Sequence, residues 1–394
     1  MMKKSRFYKL GTMALTLTLC GVLLAACGGS KSNSKGASST TKTRSSKQEK
    51  KRAKPVNAAD EQIDSIMKHM SLQEKVGQLF LARVPATNAV MDVQTYHFGG
   101  YLLFGLDMAG MTQTTLKSKI QTFQQNSKIP LLIGSDEEGG TVSRLSSNQL
   151  VSPVFRSPHN VYASGGMKAV EQDATVKAQK LKDFGIQLPM APVADVVTNP
   201  AAFIYDRTVG LDAQGTSTFV KTTVTALQNN GVAATLKHFP GYGNNADSHV
   251  GIVTDTSSMK DLKQTNFKPF AAGIKAGADS VLVSHNIVNA IDKKHPASVS
   301  KKVHKVLRKQ LHFRGVILTD DLDMAGLADF VDQKDAALVA LQAGNDMVMT
   351  SHYDTQIPRI MAAVKAGDYS KKQLNASVKR VLRMKQKLGM LSSF

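Results

Sequence analysis

The sequence predicts an α/β protein built as a single (β/α)8 barrel of the TIM type, preceded by a signal and a flexible tether and followed by no large second domain. Three observations predict it. Past Asn57, short apolar runs alternate with amphipathic stretches of ten to eighteen residues. The runs are continuously apolar and not strictly alternating, as expected of parallel strands buried on both faces. There are eight of them over about 330 residues, the number and spacing of such a barrel.

The elements follow in order. "MMKKSRFYKL" is cationic, "GTMALTLTLCGVLL" is an apolar core too short for a stable membrane span, and "LAAC" places small residues before Cys27. Residues 1–26 resemble a bacterial lipoprotein signal, which implies cleavage before Cys27 and its lipidation; a plain secretory signal cut near Ala26 is the alternative. Cys20 would leave with the signal. One acylated cysteine then remains of the chain's two, so neither a disulfide framework nor a cysteine-metal site is expected. Residues 27–56 are Ser, Lys, Thr and Gly with scarcely an apolar side chain, a flexible tether suited to an anionic surface.

The formal net charge of +20 is unevenly placed. Residues 1–56 hold thirteen Lys/Arg against Glu49 alone, which is +12, and leave +8 for residues 57–394. That remainder has no arginine-rich helix and no interleaving of aromatic with basic residues, so no nucleic-acid partner is expected.

The strand candidates of residues 57–394 are 79–84, 100–105, 130–135, 188–193, 232–238, 280–285, 315–320 and 346–350. Helix candidates between them include 114–126, 167–185, 216–231 and 300–313. Polar residues fall at the carboxyl ends of the runs: Asp136, Asp195, His238, His285, Asn286 and Asp320. Barrel enzymes build their sites at that end. About forty residues after the last run suffice for closing helices only.

"KHFPGYGNNADSH" (237–249) and "ILTDDLDM" (317–324) resemble the signature stretches of bacterial β-N-acetylhexosaminidases in glycoside hydrolase family three. "GSDEEGGTVSRL", "MAPVADV" and "IYDRTVG" match further segments of that family in the same order, and the likeness spans roughly residues 60 to 390. The resemblance implies a retaining exo-β-N-acetylglucosaminidase without cofactor or metal, acting on β-linked N-acetylglucosamine glycans such as wall-derived muropeptides, and the signal with Cys27 adds the expectation that it is lipid-anchored outside the cytoplasm. It implies Asp320 as nucleophile and Asp136, Arg144, Arg207, Lys237 and His238 as sugar-binding groups. His249 would be the acid/base, oriented by Asp247; an imidazole titrates near neutrality and can do this without a second carboxylate. Asp321 and Asp323 are expected to be local hydrogen-bonding or helix-capping groups. Glu137, Thr141 and Tyr242 depart from common family residues, which leaves the contacts there open. Other readings are a β-glucosidase-type enzyme of the same family, a metal-dependent barrel hydrolase using His238, Asp247, His249, His285 and Asp320, and a non-enzymatic sugar-binding lipoprotein.

The lipobox reading has a direct test. Cys27→Ala is expected to move the protein from the membrane fraction to the medium or to an unprocessed precursor, with intrinsic activity unchanged. Detergent-dependent membrane association of a fully processed variant would instead make the basic tether the anchor.

Overall fold

The computed structural model describes residues 58–243, 245 and 251–392. The expected signal and tether, with Cys27, and the loop residues Asp247 and His249 lie outside the described residues.

All eight apolar runs contain strands: β1 Phe80–Arg83, β2 Gly100–Leu103, β3 Leu132–Ser135, β4 Leu188–Pro189, β5 Thr235–Phe239, β6 Ser280–Val283, β7 Val316–Asp321 and β8 Met347–Thr350. They form one parallel sheet in the order β4, β3, β2, β1, β8, β7, β6, β5. Its two ends meet through a bridge between Val193 and Lys237, an Ala194 N–H bond to the Lys237 carbonyl at 2.6 Å and a Thr235 N–H bond to the Ala191 carbonyl at 2.8 Å. The sheet therefore curls into a nearly closed barrel.

The expected strand 188–193 is regular only at Leu188–Pro189. Pro189 and Pro192 have no N–H to give to a ladder, so β4 is continued by isolated bonds. That interruption matters for function. It lets the chain leave the barrel at Asp195 with its side chain turned toward β5.

Apolar side chains pack in two layers. Leu81, Leu102, Leu132, Leu188, Leu282, Leu318, Met347 and Met349 fill the barrel, whereas Phe80, Ile133, Leu236, Val283, Ile317 and Val348 face the surrounding helices. This is the period-two alternation of strands buried on both sides, and each such side chain contributes roughly 1.5–3 kcal/mol. The helices include Gln113–Gln125, Pro158–Phe184, Ala213–Asn229, Phe267–Lys275, Gln333–Ala343 and Tyr353–Ala366. Their starts are written in the sequence: Thr112, Ser157 and Asp212 each accept a first-turn N–H, and Pro158 opens its helix. The candidate 300–313 begins as the helix Lys301–Lys305 and widens to a π-helical turn at Val306–Gln310.

The last helix, Lys371–Lys387, seals the amino end of the barrel. Val381 and Met384 enter the inner apolar layer, while Arg380 reaches Asp346 at 2.8 Å and Lys387 reaches Asp279 at 2.6 Å. With that end plugged, a substrate can approach only from the end where the strands terminate.

Candidate active site

At the end of β3, Asp136 is followed by a tight antiparallel turn that pairs Glu137–Gly139 with Val142–Ser143. Gly139 sits at φ 103°, and a Cβ there would lie 2.1 Å from the Arg156 carbonyl oxygen, so no other residue fits. The turn brings Arg144 back over Asp136, with Nη2 2.8 Å from Oδ2. The three consecutive acids separate by strand alternation. Glu137 points inward and accepts from Ser135 Oγ at 2.9 Å, Ser143 Oγ at 2.5 Å and Leu145 N–H at 3.0 Å, and burial pushes its carboxyl up. It brackets the turn. Asp136 and Glu138 point together toward the end of β5.

There Lys237 lies between them, with Nζ 3.0 Å from Asp136 Oδ1 and 2.5 Å from Glu138 Oε1. Glu138 also receives Arg207 through two N–H bonds, Nε to Oε2 at 2.9 Å and Nη2 to Oε1 at 2.8 Å. Burial acts to raise the Asp136 and Glu138 carboxyls, but Lys237 with Arg144 outweighs it at Asp136, and Lys237 with Arg207 at Glu138. Asp136 is held well below the ordinary carboxylate range and Glu138 is brought down to about 2. Burial alone would lower the Lys237 ammonium; Asp136 and Glu138 reverse this and raise it. The cluster is therefore ionised throughout the neutral range.

His238 joins this cluster from its other side. Its Nδ1 lies 2.8 Å from Asp195 Oδ2 and its Nε2 3.1 Å from Arg207 Nη2. Arginine can only donate, so Nε2 accepts and Nδ1 carries the proton toward Asp195: the network assigns one neutral tautomer. Asp195 also accepts the backbone N–H of Tyr242 at 2.6 Å, and the buried Tyr242 ring meets His238 edge-on with centroids 5.2 Å apart.

Asp320, at the end of β7, faces the same cavity. Its Oδ1 accepts the backbone N–H of Asp321 at 3.0 Å, and among the described residues it has no ion pair. Asp321 is buried and takes Arg83 at 2.7 Å; burial pushes its carboxyl up to about 6 against the pull of Arg83. Asp323 accepts the Ser351 N–H at 3.2 Å and Thr350 Oγ at 3.2 Å. Of the two expected roles, local hydrogen bonding is the one observed: the Asp323 N–H bonds to Asp321 Oδ1 at 3.1 Å and the Asp323 carboxylate satisfies the chain leaving β8, while the helix Ala325–Ala328 is preceded by Met324 and capped by neither acid. His285 is a fully buried structural histidine, bonded to Ser298 Oγ at 2.7 Å and to the Asp321 carbonyl at 2.8 Å.

The structure therefore brings Asp136, Arg144, Arg207, Lys237, His238 and Asp320 around one cavity of about 220 Å³, floored by Leu102, Met190, Leu282 and Met349. Asp247 and His249 lie outside the described residues. Reasoning from the sequence missed Glu138, Asp195 as a partner of His238, and Arg83. The signal for Glu138 was present, since it stands two residues from Asp136 in an extended segment. The described members of the alternative metal set do not converge: His238 is committed to Asp195 and Arg207, His285 to Ser298 and Asp321.

The charge pairing has a linkage signature. A carboxyl whose folded pKa is depressed stabilises the fold above its ordinary pKa, and that stability is lost as pH falls through the folded value. For Glu138 the window runs from about 4.5 down to about 2. Glu138→Gln is expected to lower stability at pH 7 by roughly 3 kcal/mol, because Lys237 and Arg207 lose a buried counter-charge, and to have a shallower loss of stability across that window. Thermal melts of both proteins from pH 7 to pH 2.5 check this; parallel curves would show that Glu138 does not carry the pairing.

The sequence signature described as the glycosyl hydrolase family 3 N terminal domain matches residues 71–384. Among curated proteins, the chain is 32% identical over 272 residues to a β-hexosaminidase of Methylobacillus flagellatus, covering 68% of this chain and 77% of that protein. It is 32% identical over 330 residues to the β-hexosaminidase LpqI of Mycobacterium tuberculosis, covering 80% and 83%. Among solved structures, a family 3 β-N-acetylglucosaminidase from Paenibacillus sp. str. FPU-7 superposes with a TM-score of 0.77 at 29% identity, over 82% of this chain and 64% of that one. Fold, site geometry and these matches agree, and the chain belongs to glycosyl hydrolase family 3.

Proposed function

We propose that this glycoside hydrolase is a retaining, exo-acting β-N-acetylglucosaminidase that releases terminal N-acetylglucosamine from wall-derived muropeptides or related β-linked oligosaccharides. The names of its β-hexosaminidase relatives support the sugar. The mechanism rests on one observation: of the three carboxylates that line the cavity, Asp136, Asp320 and Asp321, Asp320 alone has no cation bound to it among the described residues. Asp136 and Glu138 are tied to lysine and arginine, which lowers their basicity and keeps them from carrying protons. Such groups bind hydroxyls well and attack carbon poorly.

In this reading the terminal sugar fills the cavity with its hydroxyls on Asp136, Arg144, Arg207, Lys237 and His238. The Asp320 oxygen that does not accept the Asp321 amide attacks the anomeric carbon as the glycosidic bond breaks, and the aglycone oxygen takes a proton from His249, which Asp247 orients. His249 then deprotonates a water that attacks the same carbon, breaks the ester to Asp320 and releases the sugar with its β configuration kept. The cavity ends blindly on the inner apolar layer that Val381 and Met384 complete, so a glycan chain cannot run on through the barrel, which favours cleavage from a chain end. Lipidation at Cys27 and the basic tether would hold the enzyme outside the cytoplasm at the membrane, a proposal that rests on the sequence of residues 1–56.

The test compares wild type and Asp320→Asn on an aryl N-acetyl-β-glucosaminide and on the matching aryl β-glucoside. Wild type is expected to prefer the N-acetyl sugar by about a hundredfold in kcat/KM, roughly 2.7 kcal/mol, and Asp320→Asn to lose turnover with its melting temperature unchanged. Equal rates on the two sugars would move the enzyme to the glucosidase branch, and an active Asp320→Asn would place the nucleophile elsewhere.

A further inference from the structure

The Asp320 carboxylate is held by its neighbour. Its one side-chain bond among the described residues comes from the amide of Asp321, and the ladder between β7 and β8 is irregular between Leu318 and Asp321. Regular sheet bonding therefore does not fix the carboxylate. The Asp320–Asp321 peptide is fixed where the ladder resumes, with Asp321 paired to Met349 and the Leu322 N–H bonded to the Met349 carbonyl at 2.9 Å, and by the further contacts that Asp321 makes.

Those contacts come from three directions. Arg83, at the end of β1, places both Nε and Nη2 2.7 Å from Asp321 Oδ2. His285, beyond the end of β6, bonds through Nε2 to the Asp321 carbonyl at 2.8 Å. The Asp323 N–H bonds to Asp321 Oδ1 at 3.1 Å. Arg83 spans from β1 across β8 to β7, and its guanidinium is braced against the Phe104 ring at 4.7 Å. Of the three acids Asp320, Asp321 and Asp323 it pairs with two, Asp321 at 2.7 Å and Asp323 at 3.5 Å.

We infer that Arg83 is a positioning residue for catalysis: through its bond to the Asp321 carboxylate it locks the peptide whose N–H orients the Asp320 carboxylate toward the anomeric carbon. This inference rests on Asp320 being the nucleophile. Arg83 also lines the cavity, with about a third of its side chain exposed, so direct contact with substrate is the alternative to separate from positioning. The two differ in kinetics. A lost substrate contact raises KM, whereas a nucleophile released from its aim lowers kcat.

The experiment measures kcat and KM of the full chain as wild type, Arg83→Met, Arg83→Lys, Asp321→Asn, the double variant Arg83→Met/Asp321→Asn, and Asp320→Asn, on an aryl N-acetyl-β-glucosaminide, with melting temperatures alongside. Arg83→Met is expected to lower kcat by roughly a hundredfold, the effect of a misdirected reacting group, with KM within about threefold of wild type. Arg83→Lys keeps the charge and should restore part of kcat even if Arg83→Met folds poorly. Because the two residues act as one unit, the double variant should be no slower than the worse single variant. Wild-type kcat in folded Arg83→Met, or a rise in KM with kcat kept, overturns the inference while an inactive Asp320→Asn leaves the nucleophile in place. An active Asp320→Asn overturns both.

Discussion

The Lys237 ammonium, buried between Asp136 and Glu138, is the interaction on which the rest of the site depends. Taking an ion out of water costs several kcal/mol even after relaxation. At an effective dielectric of about 20, one counter-charge near 3 Å returns roughly 5 kcal/mol. A single partner would leave Lys237 close to balance; two keep it charged. The same reasoning extends outward, since Glu138 needs Arg207 as well as Lys237, and Arg207 in turn donates to His238 and so settles its tautomer. The segments at the ends of β3, β4 and β5 are thus held together by alternating charge at the open end of the barrel.

This arrangement divides the carboxylates by task. Asp136 and Glu138 are ionised and committed to cations, Glu137 is committed to hydroxyls and an amide inside its turn, and Asp195 is committed to His238 and Tyr242. Asp321 serves Arg83. Asp320 keeps one oxygen without a partner among the described residues, which is what a nucleophile requires. The specificity of the chemistry then comes from pairing everywhere else as much as from any property of Asp320 itself.

The barrel was legible because a strand buried on both faces leaves a continuous apolar signature, and all eight runs carried it. The failures have local causes. β4 shrank to two residues because two prolines in six positions remove the ladder donors, although that loss was visible in "LPMAPV". Glu138 was overlooked because "DEEGG" was matched as a family segment around Asp136, and only the extended geometry, which pairs Glu137 with Ser143, turns Glu138 to the same side as Asp136. Asp323 read as either a local hydrogen-bonding group or a helix cap, and its partner on β8, twenty-seven residues away in sequence, could not be read from the neighbouring residues. Arg83 ended an apolar run and left no trace of its role, since its partner Asp321 is 238 residues distant and adjacent only after the barrel closes. The cavity-lining Asp136, Arg144, Arg207, Lys237 and His238 could be picked out through family motifs, and their pairing could not.

The central claim is that Asp320, the one carboxylate lining the cavity that has no cation bound to it among the described residues, bonds covalently to the sugar during turnover. The most direct measurement is mass spectrometry of the enzyme quenched with a fluorinated aryl N-acetylglucosaminide whose glycosyl-enzyme ester hydrolyses slowly, followed by peptide mapping. The account predicts one added sugar on the peptide containing Asp320, and none in Asp320→Asn. Label on Asp136, Glu138 or Asp321 instead, or turnover of that reagent with no labelled enzyme at any time point, would contradict it.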